Sequence, residues 1–132
     1  MKIYCTGCGK NVTARLTDGK ERYPHRLDLA ELPFWKCDKC GGYVGCHHKT
    51  KTPTKPLGYI ATPEMYEARV AIHNMLDPLW KSGKIARGQI YSHISNKLGR
   101  SYHTGEIKTL AEARRIYKIV AQLHNELLGV EE

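Results

Sequence analysis

Apolar and polar residues alternate over Val12-Thr13-Ala14-Arg15-Leu16, the pattern of a half-buried strand, and Asp18-Gly19 follows as a hairpin signal. Phe34-Trp35 and Tyr43-Val44 mark two further short strands. From residue 62 the period changes. Thr62-Pro63-Glu64 combines an N-cap, a proline at the first helical position and an early acid, which together open a helix. Met65, Ala68, Ile72, Met75 and Leu76 share one of its faces, and Asp77-Pro78 is expected to end it, because a residue before proline avoids the α region. Leu79 and Trp80 are expected to pack back on the core. A second helix is predicted over Arg87–Leu98, with Ile90, Ile94 and Leu98 in one stripe and Gly99 as its stop. A third is predicted over Glu106–Leu128. Its buried face is Leu110, Ala113, Ile116, Tyr117, Val120, Leu123 and Leu127, with Arg114, Arg115, Lys118 and Gln122 pointing away.

Between the two periodicities lies KTKTPTKPLG (49–58), whose basic start and breakers read as a link. The pattern therefore predicts an α+β protein. A unit of short antiparallel strands over 1–60 precedes a three-helix unit over 61–132.

The first unit contains chemistry that the pattern alone does not show. All five cysteines lie in residues 1–46, and four of them form two C-x-x-C pairs, Cys5/Cys8 and Cys37/Cys40, 28 residues apart. Two residues between thiolates let a tight turn aim both sulfurs at one metal, and two such turns complete a tetrahedron. Each pair is followed by glycine, Gly9 and Gly41, which can take positive φ and turn backbone N–H groups toward the sulfurs. The arrangement reads as a four-cysteine zinc ribbon. Zn²⁺ is the expected ion and iron the alternative. The ion would supply on the order of 10 kcal/mol of folding free energy to a unit with too little apolar surface of its own. Cys46-His47 has two readings: a small buried cysteine beside the ribbon, or an additional ligand or reactive centre near the metal. Four thiolates already close a tetrahedral site.

Charge adds a partner class. Lys and Arg number 21 against 13 Asp and Glu, a formal +8, and residues 81–120 hold nine basic and two acidic side chains. Four thiolates on one Zn²⁺ add −2, which brings the metallated chain to about +6 without touching the helical excess. The candidate contacts to a polyanion are Lys36, Lys39, Lys49, Lys51 and Lys55 in the first unit. In the second they are Lys84, Arg87, Lys97, Arg100, Arg114, Arg115 and Lys118. Tyr43, Trp35 or Tyr59 could stack on bases of a single strand. Ile94 to Thr104 carries the spacing of a helix-turn-helix, although Gly105 stands where that motif wants a β-branched residue; plain helix packing is the competing reading. No apolar run reaches the ~18 residues of a membrane span, and the N-terminus lacks the apolar core of a signal peptide, so no membrane partner is expected. The expected compartment is the cytoplasm.

Trp35-x-Cys37-x-x-Cys40-x-x-Tyr43-Val44-Gly45-Cys46-His47, with Pro56-Leu57-Gly58 and Ala61, resembles the zinc-finger-containing proteins of unknown function found in bacteria and their phages. Asp77-Pro78-Leu79-Trp80, Leu98-Gly99 and His103-x-Gly105 are also similar to that family. The resemblance implies Cys5, Cys8, Cys37 and Cys40 as the ligand set, accounts for His103 and Gly105 as family features, and assigns no activity.

Three functions remain open. The first is a zinc protein binding DNA or RNA through a basic face. The second is a small phage- or prophage-type protein that modulates a host protein, acting in the host cytoplasm. The third is a metal-associated nuclease drawing on the seven histidines, although no H-E-x-x-H or paired-carboxylate motif accompanies them.

Overall fold

In the computed structural model, which describes residues 1–128, the first strand precedes any that the pattern predicted. Strand β1 (Lys2–Cys5) buries Ile3 and Cys5 and pairs antiparallel with β2 (Lys10–Thr13), in register Ile3↔Val12 and Cys5↔Lys10. Four residues are too few for the alternation to stand out beside the cysteine motif.

The single strand expected over 12–16 is two. β2 ends at Thr13, and β3 (Arg15–Asp18) belongs to a second antiparallel sheet, of order β3-β4-β5, with β4 (Pro33–Lys36) central and β5 (Tyr43–Gly45) beyond it. Ala14, buried between them, donates its N–H to the Met1 carbonyl at 2.8 Å. Leu16, Trp35 and Val44 lie side by side across this sheet. Burial falls from Val44 through half-buried Trp35 to Leu16, 47% exposed, because the core lies at the β5 side of the sheet and does not reach β3.

Asp18-Gly19 does not form a hairpin. Asp18 Oδ1 accepts from the N–H groups of Lys20 (3.0 Å) and Glu21 (3.3 Å) and so caps a one-turn helix, α1 (Gly19–Arg22). An aspartate that can satisfy a turn can equally satisfy a helix start, so the dipeptide is ambiguous. Gly19 is required for space: a Cβ there would stand 1.7 Å from the Leu29 carbonyl oxygen.

Ile60 and Ala61 join the two sheets. Ile60 donates to the Tyr4 carbonyl (2.9 Å) and accepts from Thr6 (3.0 Å), while Ala61 and Tyr43 exchange both backbone bonds at 3.1 and 3.3 Å. Around this seam Ile3, Val12, Ala14, Val44 and Ile60 enclose Cys5 and Cys37. Residues 54–57 lie back on the sheet: Leu57 donates to Gly45, and Trp35 Nε1 donates to Thr54 at 2.7 Å. These elements make up one compact unit, Met1–Glu64, and the helices make up another from Met65 on.

The helix opened by Pro63, α2 (Pro63–Lys81), buries Met65, Ile72, Leu76 and Leu79. It runs through Pro78 instead of ending at Asp77. Continuing one more turn costs the hydrogen bond that proline cannot donate, but it places Leu79 fully inside the core, three residues after Leu76. Ser82 then closes the end by donating to Pro78 (3.0 Å) and Leu79 (2.6 Å).

Helix α3 (Arg87–Leu98) has the predicted bounds. Ile90 and Ile94 are buried, and Gly99 at φ +77 donates to Ser95 at 2.9 Å. The last helix, α4 (Leu110–Leu128), begins four residues later than predicted. Thr104–Glu106 form a single 3₁₀ turn, Ile107 is extended and fully buried, and Thr109 Oγ1 accepts from Glu112 N–H at 3.1 Å to start the helix. Its core positions are Ala113, Ile116, Val120 and Leu123, whereas Tyr117 lies at the margin, 38% exposed. Eleven residues, 99–109, connect α3 to α4, where a helix-turn-helix has three or four. Tyr102, Thr104 and Ile107 within them are buried, so the segment is helix packing. Among the described residues, no helix is long and apolar enough to cross a membrane.

Candidate metal centre

The two C-x-x-C-Gly segments fold alike. Cys5 ends β1, and Gly9, at φ +70, donates its N–H to the Cys5 carbonyl at 2.8 Å; Cys37 follows β4, and Gly41, at φ +80, donates to the Cys37 carbonyl at the same distance. Positive φ lets each glycine close a turn that a side chain would strain. The seam at Ile60–Ala61 brings the turns together, and the four sulfurs lie within 4.8 Å of one another. They interleave: Cys5 Sγ is 3.3 Å from Cys40 Sγ, and Cys8 Sγ is 3.7 Å from Cys37 Sγ. A tetrahedron with 2.3 Å metal–sulfur bonds has sulfur–sulfur edges of about 3.8 Å. The donor set therefore fits one four-coordinate ion of the zinc class.

The thiols are unequal. Burial works against ionisation of Cys37, but the backbone N–H groups of Cys40 and Lys39, with the Cys8 and Cys40 thiols, outweigh it and bring its pKa down to about 7. Cys40 is pushed up to about 12, by burial of its sulfur first, despite the Gly42 N–H 3.4 Å away. Cys8 is raised by the Cys37 hydrogen bond and then by burial. Thiols this close resist losing all their protons until a divalent cation compensates the charge, so metal binding releases protons here.

An ion-pair network orients the second turn. Arg15 on β3 grips Asp38, between Cys37 and Lys39, with Nε and Nη2 both at 2.9 Å, and also holds Glu21 at 2.9 and 3.1 Å. Lys36 Nζ reaches the same Glu21 at 2.6 Å. Hydrogen bonds from Arg15 hold both carboxyls below their ordinary range.

Cys46 and His47 lie outside the four-sulfur group. Cys46 is buried in a bridge to Pro56, and burial pushes its thiol up, away from the thiolate that metal binding or attack needs. His47 donates its backbone N–H to Lys55 at 2.9 Å.

The twelve basic candidates divide. Lys36 is paired as above, Arg100 is paired with Glu112, and Lys84 and Arg115 each donate to a backbone carbonyl at 2.9 Å, of Leu127 and Lys97. Arg87 donates to Tyr91 Oη (3.2 Å) and lies 5.9 Å from the Trp80 ring. Lys39, Lys49, Lys51, Lys55, Lys97, Arg114 and Lys118 are exposed, and none is in an ion pair among the described residues. Lys2 and Lys10, which flank the first cysteine pair singly instead of forming a charge run, are exposed as well. The aromatic candidates are engaged. Tyr43 lies under Arg22 and Lys36, each 5.3 Å away, Trp35 is bonded to Thr54, and Tyr59 packs on Tyr4 at 5.0 Å.

A family described as a zinc-finger-containing domain matches residues 1–125, through both units. No curated protein and no solved structure matches the chain.

Proposed function

The chain belongs to the zinc-finger-containing domain family, and from that premise we propose that it is a zinc-stapled protein that binds nucleic acid through exposed basic side chains. With four thiolate ligands the ion has no open position, so its chemistry is that of a fold-stabilising centre. The observation that carries the binding reading is the division of the cations. Arg114 and Lys118, one turn apart on α4, are exposed with no acidic partner among the described residues, and Tyr117 is exposed beside them. Cations without local partners have phosphates as their natural counter-charge, and a neighbouring tyrosine can stack on a base.

A mobility-shift titration over a salt series tests this. Log affinity is expected to fall linearly with log salt, and R114Q/K118Q to make the slope shallower by about 0.7 per lost contact on single strands and about 0.9 on duplex. No shift at low ionic strength with duplex DNA, single-stranded DNA or RNA would overturn it. A second reading, docking on a host protein, is favoured by Tyr66 and Val70, exposed one turn apart on α2. Recovery of a stoichiometric protein partner without nucleic acid would select that reading.

A further inference from the structure

Beside the metal centre, a groove of about 340 Å³ runs between β2 and the second cysteine turn. All four residues of β2 line it, as they do where a groove follows a strand's edge, and among the described residues β2 pairs only with β1. Lys2, Lys10 and Lys39 line this groove, and all three are exposed and outside every ion pair among the described residues. Its one acid, Asp38, is held by Arg15 through two bonds at 2.9 Å, so it does not cancel a lysine. Asn11 and Thr13 add side-chain donors.

We propose that this groove seats successive phosphates of a nucleic-acid strand, which rests on the nucleic-acid reading above and assigns it a place on the ribbon. Two properties support a strand. Lys2, on β1 opposite Thr13, and Lys10, on β2 opposite Cys5, are three ladder steps apart, which puts them roughly 10 Å apart along the strand direction and on opposite faces of the pair. Charges this far apart suit successive phosphates better than one small anion. The edge of β2 away from β1 has no strand partner among the described residues and so adds backbone N–H groups. The −2 of a tetrathiolate zinc centre offsets part of the attraction, while the lysine–phosphate contacts themselves make binding salt-sensitive.

The test uses the zinc-loaded full chain and a labelled single-stranded oligonucleotide. K2Q/K10Q/K39Q is expected to bind about tenfold more weakly at low salt, with a log–log slope shallower by about 2 and an unchanged zinc content. K2R/K10R/K39R should restore both slope and affinity. If the glutamine variant binds like wild type while R114Q/K118Q is weakened, the groove is overturned and the general reading stands. If wild-type protein binds no nucleic acid, both are overturned. Loss of zinc together with binding would mean that the lysines serve the thiolate charge, and would also overturn the proposal. Inorganic tripolyphosphate, as a second probe, should bind far more weakly than the strand; equal or tighter binding would replace the strand by a free polyphosphate and overturn it.

Discussion

Between Met1 and Glu64, five aliphatic side chains, Ile3, Val12, Ala14, Val44 and Ile60, surround two cysteines; the helical unit fully buries Ile72, Leu76, Leu79, Ile90, Ile94, Ile107, Ile116 and Val120 and has no cysteine at all. Each fully buried large aliphatic contributes about 1.5–3 kcal/mol, so the second unit accumulates from side chains alone what the first cannot. The ribbon's strands are three or four residues long, too short to hold one another. Its order depends on a centre to which four side chains converge, and the order of the helices depends on a stripe that repeats. One unit is held at a point and the other along a line.

Removing the metal bears hardest on this contrast. Chelation of the full chain should unfold the ribbon, a loss on the order of 10 kcal/mol, and leave the helices standing. In amide NMR spectra, Ile3, Val12, Val44 and Ile60 should collapse to unfolded positions while Leu76 and Ile116, in the helical core, keep theirs; collapse of both sets, or of neither, would refute it.

The converse perturbation is smaller. Ile116→Ala leaves a cavity in the helical core and should cost about 2–5 kcal/mol, lowering that unit's melting temperature by on the order of 10 °C. Zinc content, measured by mass spectrometry, should not change.

The smallest effect concerns charge inside the helical unit. Burial opposes ionisation of Glu112, but the Arg100 guanidinium and the Lys108 N–H outweigh it and hold its carboxyl below the ordinary value. A depressed carboxyl contributes stability that is present above the unfolded glutamate value and is lost as pH falls through the folded one. Glu112→Gln should therefore cost about 0.5–1 kcal/mol at pH 7, and the difference should shrink as pH falls below the ordinary glutamate value and vanish once it is below the folded one. Parallel melting curves for the two proteins from pH 7 to pH 3 would contradict the pairing.

Much of the centre was legible from local sequence. Cys5, Cys8, Gly9 and Cys37, Cys40, Gly41 each complete a turn within five residues, so spacing and residue type suffice to predict their geometry. Helix α3 was legible to its ends, since Gly99 stops it through a bond to Ser95 four residues back. The failures share a cause. Asp18 could cap a helix or make a hairpin, Pro78 could end a helix or sit in its last turn, and Tyr117 could belong to the core or its margin. Each was settled by a neighbour distant in sequence or by the limit of a core. Gly19 and Leu29 come within van der Waals contact only because the chain between β3 and β4 folds back.

The basic residues show the same division. Their number and their concentration in 81–120 belong to the sequence, since charge is a property of residue type. Which of them are open to a partner depends on pairings that no local spacing encodes: Arg15 meets Asp38 across 23 positions, and Arg100 meets Glu112 across 12. A metal-binding ribbon and a helical partner unit could be read from the residues in order, because turns, caps and stripes are short-range. Where free charge remains could be read only from the folded chain, because ion pairing depends on distance in space, which the fold alone sets.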